Sequence, residues 1–360
     1  MANFNGQLRS NEIFAALYNM IISQEVFADN IYDTKASLVD MSRVDGGLYG
    51  DTKLYYATDV LSSAPWGNDA EAANLLKLYR PKAPEVQAIH LDVFRQISLT
   101  VDDYLSKRAW STEGAFSSFN SVMLGWIRDT KRVYDSTLFN AYVGTAESTI
   151  GNQDITIDLP TVAGNPEAQA RMQAGAIAAK MADLLVELED VTRDYNDYGN
   201  LRSYSGDSLI AVWNSEKLNA IKKIDLPTIF HKDGLIDKMG EYTLPARYFG
   251  KVNASAGTTT ATNTTIRSLV EKDFGDTHCF PGDLLPNSQA YGANETYTQD
   301  DTILFKIMHK RSVPYMSAFE VGTSFFNPKS LTENHYLTWG HNTLEYLKNY
   351  PFITVRGDAS

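Results

Sequence analysis

The chain has 360 residues, 44 acidic and 32 basic side chains and a formal net charge of −12, with 43% hydrophobic and 21% charged residues. These values belong to a folded chain and not a disordered one, and at this length two packed units or one elongated one are expected. The acidic balance, without any long basic stretch, argues against a protein whose main work is gripping phosphates. The single Cys279 excludes an internal disulfide framework and a Cys-only zinc site, and fits assembly inside a cell.

From Asn11 to about Asn30, Ile13, Leu17, Met20, Ile21 and Phe27 recur near helical spacing and predict an amphipathic helix. The apolar run from Ile13 to Ile22 is too short to span a bilayer, and nothing before it has the form of a secretory signal. Residues 1–45 read as an N-terminal arm. Lys53 to Leu61, rich in Tyr and β-branched residues, predicts a strand. Further on, Ile89, Leu91, Val93, Ile97, Leu99 and Val101 alternate with polar residues, Phe94 and Arg95 being the exceptions. About 13 residues at the strand rise reach roughly 43 Å, well beyond an ordinary strand. Between the two lie Pro65, Trp66, a short helical pattern from Ala70 to Leu78, and Pro81 and Pro84. Two long strands with a decorated tip predict a hairpin reaching out of a compact body. The alternative is an ordinary meander whose second strand breaks at Phe94-Arg95.

After Trp110, Ser111 is the expected cap of a long helix carrying Phe116, Phe119, Met123, Trp126, Thr130, Tyr134, Leu138 and Tyr142 at steps of three or four. Gly144 is the expected stop. The aromatic stripe reads as core. Arg128, Asp129, Lys131, Arg132 and Asp135 form the opposite, polar face, expected in solvent or at a subunit contact. A short strand follows at Ile155–Ile157. Asn165-Pro166 opens another helix with Ala170, Ala174, Ile177, Met181, Leu184, Leu188 and Val191 on one face. Residues 207–213 read as a buried strand, 214–221 as a helix and 248–252 as a strand. Asn253 to Thr265 reads as an exposed polar loop. Strands are expected at 268–271, 277–280, 302–309 and 352–355.

No phosphate loop, dinucleotide fingerprint, nucleophile elbow or zinc motif is present. The six histidines are scattered, and His278-Cys279 lacks further ligands nearby. Asp102 and Asp103 are adjacent, so on a strand they point to opposite faces and do not form a dyad. Arg356-Gly357-Asp358 matches a cell-adhesion tripeptide, read as coincidence in a frayed tail. No catalytic residue, cofactor or metal is expected. A chain with an arm, an overlong hairpin and an overlong helix cannot bury all of them alone, and long exposed strands need cover. Neighbours in an assembly are the inferred cover.

The order of parts resembles the major capsid proteins of tailed, and more closely short-tailed, bacteriophages with the Hong Kong 97-type fold. The run Gln96 to Leu105, Trp110, the Phe116–Phe119 helix start and the unit Leu209 to Ser215 carry the likeness. It implies an α+β capsid fold: an N-terminal arm at 1–45, an extended β-hairpin loop at 46–103, and a peripheral domain at 104–160 and 301–360. The peripheral domain holds a spine helix at 111–143, and an axial domain spans 161–300. The implied function is a self-assembling subunit of an icosahedral shell around double-stranded DNA, enclosed without specific binding. The implied partners are other copies in pentamers and hexamers, with separate scaffolding protein, portal and decoration proteins, and no membrane. The place is the virion capsid, assembled in the host cytoplasm. An encapsulin-like nanocompartment shell shares the fold, and a hydrolase with dispersed carboxylates (Asp102, Glu113) is the reading from another class. Tyr55, Tyr56, Trp66, Leu75, Leu78 and Tyr79, on the hairpin and its tip, are the expected intersubunit contacts.

Overall fold

The computed structural model of the chain describes residues 37–45, 52–63, 78, 80–102, 113–222, 240–254 and 295–359. In chain order its elements are α1 (Ser37–Ser42), β1 (Arg43–Asp45), β2 (Thr52–Ala57), β3 (Glu85–Asp102), α2 (Glu113–Thr145), β4 (Asp154–Leu159), α3 (Pro166–Glu189) and β5 (Leu209–Asn214). There follow α4 (Ser215–Lys222), β6 (Gly240–Leu244), β7 (Gly250–Ala254), β8 (Glu295–Gln299), β9 (Ile303–His309), β10 (Tyr315–Asn327), β11 (Thr332–Asn342) and β12 (Phe352–Ala359). One five-stranded sheet has the order β1-β10-β11-β3-β2, a second has β4-β12-β9-β5-β6, and β7 pairs with β8 alone.

Period-two alternation holds β3 together over 18 residues, roughly 60 Å. Its odd positions point inward, with Ile89, Leu91 and Val101 buried, and its even positions point out. The two exceptions keep this phase. Phe94 stays outside, and Arg95 takes an inward slot, where its Nε donates to Tyr134 Oη at 3.4 Å. The strand therefore does not break at Phe94-Arg95. It serves two partners in turn. From Glu85 to His90 it pairs antiparallel with β2, and from Leu91 to Asp102 with β11. The sequence reading had assigned no strand to β11 or β10. The other strand expected at 53–61 ends at Ala57, because the chain beyond it is drawn to the body. Arg202 donates to the Thr58 carbonyl, and Asp59 accepts from Arg193 at 2.7 Å and from the Leu201 amide at 3.0 Å.

The second sheet is buried on both faces, which favours near-continuous apolar runs in its central strands, with buried Lys306 in β9 and Thr354 in β12 among the exceptions. In β5, Ile210 and Val212 pack with Leu138, Tyr142 and Phe139 of α2. Leu209, Ala211 and Trp213 pack with Ile177, Met181, Leu184 and Leu188 of α3. The sheet takes β4, β9 and β12 from one side of the divisions expected at 160/161 and 300/301, and β5 and β6 from the other. Asn165 caps α3 as expected, its side chain accepting from the Ala168 amide at 3.1 Å, with Pro166 at the first helical position.

Helix α2 runs 33 residues, roughly 50 Å. Its second half is embedded, so two residues of the expected solvated face are not solvated: Lys131 is 7% exposed and Asp135 only 1%. Gly144 does not stop the helix, which continues to Thr145. The glycine is needed for close approach, since a Cβ there would lie 2.0 Å from the Tyr248 carbonyl oxygen. Buried Lys306 caps the end of the helix, its Nζ donating to the carbonyls of Gly144 at 2.9 Å and Ala146 at 2.7 Å. A cation suits a helix C-terminus, although burial lowers this ammonium to about 7.

Three smaller expectations are corrected. Arg356-Gly357-Asp358 is not a frayed tail but part of β12, and Arg356 is enclosed by Glu147, Asp154 and Asp300, with Asp154 at 2.8 Å. Asn253 and Ala254 are strand residues paired with Thr296 and Glu295, not the start of a loop. Residues 37–45 at the end of the arm belong to the body: Leu38 and Val39 are buried against α2, and β1 pairs parallel with β10. The helix expected at 11–30, Ser111, His278-Cys279 and the strands expected at 268–271 and 277–280 lie outside the described residues. Replacing Gly144 by Ala is expected to destabilise the fold by about 2–3 kcal/mol, since both α2 and the 246–248 turn must shift to admit the methyl. Urea unfolding of the variant checks this, and an unchanged midpoint contradicts it.

Candidate assembly surface

A polar knot joins the first sheet to α2. Asp135 accepts from Arg43 of β1 at 3.1 Å, from Lys131 one helical turn earlier at 3.0 Å, and from Tyr315 of β10 at 2.6 Å. Lys131 also reaches Glu320 of β10 at 3.4 Å. A carboxylate at this depth is tolerable only because every direction it faces supplies a donor. Burial, reinforced by Asp135, pushes the Tyr315 phenol well up, so it remains a donor.

Beside the knot, buried His341 of β11 bridges Tyr134 and its own strand. Its Nδ1 lies 2.9 Å from the Asn342 carbonyl, which only accepts, so Nδ1 carries the proton. Nε2 then accepts from Tyr134 Oη at 2.9 Å. Its ring stacks on Tyr315, with centroids 5.5 Å apart. Burial holds the imidazole down at about 4; nearby Arg95 adds to the lowering, while the Asn342 carbonyl, Asp135 and Asp92 partly oppose it.

The root of the β2–β3 hairpin is fastened separately. Gln87 donates to the Tyr346 carbonyl and accepts from the Lys348 amide, each at 3.0 Å. Asp92 accepts from the amide and hydroxyl of Thr343, each at 2.7 Å. Asp197 gathers Tyr346 Oη at 2.5 Å, Gln153 at 2.8 Å and Ser148 at 3.0 Å. These bonds set where the hairpin leaves the body, and so which of its residues stay uncovered.

Of the expected contact residues, Tyr55 and Tyr56 are neighbours on β2 and point to opposite faces. Tyr55 turns inward against Ile89, Leu91, Met316 and Leu347. Tyr56 is 64% exposed and shares the outer face with Leu54 and Val86. Leu78 is 76% exposed. Trp66, Leu75 and Tyr79 lie outside the described residues. A second exposed apolar set, on the β10–β11 hairpin, escaped the sequence reading: Val321, Phe325, Phe326 and Leu331. Its signal was present in Pro328-Lys329-Ser330 between two runs of aromatic and Thr residues.

Asp102 ends β3 and Glu113 begins α2, at separate element ends. Among the described residues no group of three or more His, Cys, Asp or Glu is placed to hold a metal. No described helix is long and apolar enough to cross a membrane.

The model of the family described as Phi29-like phage major capsid protein matches residues 3–354. Among solved structures, the chain is similar to one described as the capsid structure of Staphylococcus phage Andhra. The TM-score is 0.65 at 12% identity, over 93% of this chain and 87% of that one. It is also similar to a chain in a structure of the head fiber and inner core protein gp22 of native bacteriophage P68. There the TM-score is 0.62 at 10% identity, over the same shares. At these identities the likeness is one of fold. No curated protein matches the chain in sequence.

The histidine gives a pH dependence with a definite sign. The unfolded imidazole takes a proton near 6.5 and the folded one only near 4. The fold therefore loses stability as pH falls from 6.5 to about 4, and this contribution is constant outside that window. Over that window the wild type is expected to lose about 3 kcal/mol more than His341→Gln. Urea unfolding at a series of pH values measures it. Parallel pH profiles for the two proteins contradict it.

Proposed function

The chain belongs to the Phi29-like phage major capsid protein family, and on that premise we propose that it closes into an icosahedral shell of pentamers and hexamers around packaged double-stranded DNA. As a member it is a structural subunit of the virion capsid, assembling with copies of itself, and not an enzyme. The nanocompartment and hydrolase readings have nothing in their favour beside this match.

The observation that supports the finer reading is the exposed apolar surface on two hairpins, Leu54, Tyr56, Leu78 and Val86 on one and Val321, Phe325, Phe326 and Leu331 on the other. These side chains are 43–76% exposed, so each forgoes roughly half to three quarters of the about 1.5–3 kcal/mol that full burial gives, and neighbours that cover them gain from assembly. We assign the Hong Kong 97-type parts accordingly: the arm at 1–45, its last residues 37–45 packed on the body, the extended loop at 46–103, and α2 as the spine helix beneath the first sheet. The second sheet, sandwiched by α2 and α3, makes the body of the axial part. That places the boundary between the sheets instead of at fixed points along the chain. The net charge of −12 suits a wall along which packaged DNA slides. Scaffolding, portal and decoration proteins are the proposed further partners, and the host cytoplasm the proposed site of assembly.

Expressed with its scaffolding protein, the chain is expected to form closed particles or capsomers visible by electron microscopy. A monomer under every assembly condition contradicts the proposal. The tip carrying Trp66, Leu75, Leu78 and Tyr79 is proposed to drive contact together with Tyr56 at its base, Tyr55 being turned toward the body. Deleting residues 62–84 is expected to leave a folded monomer by circular dichroism that no longer assembles. Normal particles from the deletion would sink that assignment.

A further inference from the structure

The first sheet is open at both ends. At one end β2 pairs with β3 on one side, and nothing among the described residues pairs with its other side. At the other end β1 covers β10 only from Tyr315 to Ser317. Beyond it, from Glu320 to Asn327, the described residues pair β10 with β11 on one side only. An exposed strand edge presents unpaired N–H and C=O groups and recruits another strand unless something covers it.

We propose that these two edges pair with each other between neighbouring copies, β2 of one copy adding to the 320–327 edge of β10 in the next. The proposal rests on the shell reading above and names the contact that propagates it. Three features of the chain fit the two edges together. The first is direction. β10, β11, β3 and β2 alternate antiparallel across the sheet. A second copy displaced by one sheet width, and shifted along the strands by about 11 residues (roughly 36 Å) to bring β2 from the level of residues 85–90 to that of 95–102, therefore presents its β2 antiparallel to the 320–327 edge of β10. The second is length, since the 6 residues of β2 fit within the 320–327 edge.

The third is the pattern of faces. Residues directly opposite in a ladder share a face. Leu54 and Tyr56 lie opposite Ala88 and Val86, on the outer face. Val321, Thr323 and Phe325 lie opposite Thr338, Tyr336 and Asn334, which in turn face Gln96, Ser98 and Thr100 on the same outer face. Leu54 is 49% exposed, Val321 45% and Phe325 62%. Pairing the edges sets these apolar rows side by side. On the inner face the same pairing sets Lys53 opposite Ser324 or Phe326, in the row that also holds Glu320 and Gly322. Gly322 lies in that inner row, and a Cβ there would meet nothing within 4 Å, so a neighbouring side chain has room.

The contact is heterologous, since each copy gives one edge and receives the other. Such contacts repeat until they close a ring, and the twist between adjacent strands supplies the rotation per copy. Main-chain pairing gives affinity that does not depend on one side chain, while the alternating rows fix the register.

Disulfide trapping tests this in a Cys279→Ser background. Subunits with Leu54→Cys or Tyr56→Cys are mixed before assembly with subunits carrying Val321→Cys, Thr323→Cys or Phe325→Cys, then oxidised and run on a non-reducing gel. At least one outer-face combination is expected to link more than half of the subunits. Each single variant alone, and any combination with Phe326→Cys on the inner face, is expected to link at least tenfold less. Particles or capsomers present by microscopy without an outer-face crosslink overturn the edge pairing and leave the shell reading standing. Equal linkage through Phe326→Cys overturns it too, as proximity without strand register. No assembly even of the Cys279→Ser parent overturns the shell reading itself. Hydrogen exchange on the unmodified chain is a second readout. Amides in 52–57 and 320–327 are expected to slow at least tenfold on assembly, and unchanged exchange there overturns the proposal.

Discussion

A single buried carboxylate sets how the parts of this chain meet. Asp135 is taken out of water on α2 and is tolerable only where Arg43, Lys131 and Tyr315 all reach it. Those donors come from the end of the arm, from the helix and from the sheet, so satisfying one charge fixes three elements at once. Buried ion pairs seldom add much net stability, but breaking one leaves an uncompensated charge. The consequence is positional. The arm enters the body at one place, and the sheet lies on the helix in one register. His341 and Tyr134 extend the same joint along the sheet, with Arg95 in the inward slot its strand phase assigns.

From that joint the two sheets divide the work. The second, with apolar residues on both faces and a helix against each, is the mass of the core. The first is buried at its root and open toward its ends, where β2–β3 and β10–β11 leave the body. A shell subunit needs this combination. The closed sheet has its core on both faces, and in the proposed assembly the open sheet offers its strand edges and apolar rows to neighbours. The bonds of Gln87, Asp92 and Asp59 to the body aim the hairpin before any neighbour arrives.

Much of the fold was legible in local patterns. The odd-position apolar series predicted β3, steps of three and four predicted α2, and Asn165-Pro166 marked the start of α3. The uninterrupted apolar run at 209–213 marked a doubly buried strand. The β10–β11 hairpin was not read, although Pro328-Lys329-Ser330 punctuates it. Its flanking runs do not alternate cleanly, because residues 321–326 are exposed on both faces and burial imposes no pattern there. The exposed apolar set Val321, Phe325, Phe326 and Leu331 was missed for that reason. Tyr55 was grouped with Tyr56 because sequence proximity hides the fact that neighbours on a strand face opposite ways.

By itself the sequence determined what repetition along the chain can encode: element types, an overlong strand and helix, an acidic surface and a resemblance to phage shell proteins. Tertiary structure alone decided which polar residues became interior. Lys131 and Asp135 look like any solvated helix face, and Arg356 like part of a loose tail. Lys131 and Asp135 are buried and Arg356 is largely enclosed because partners from elsewhere in the chain arrive at the same point, Tyr315 for the first and Glu147, Asp154 and Asp300 for the other. A charge carries no local sign of a partner that waits 180 residues away, as Tyr315 does from Asp135, or 56, as Asp300 does from Arg356. Periodicity reports the solvent boundary of one element, and only packing reports which elements share it.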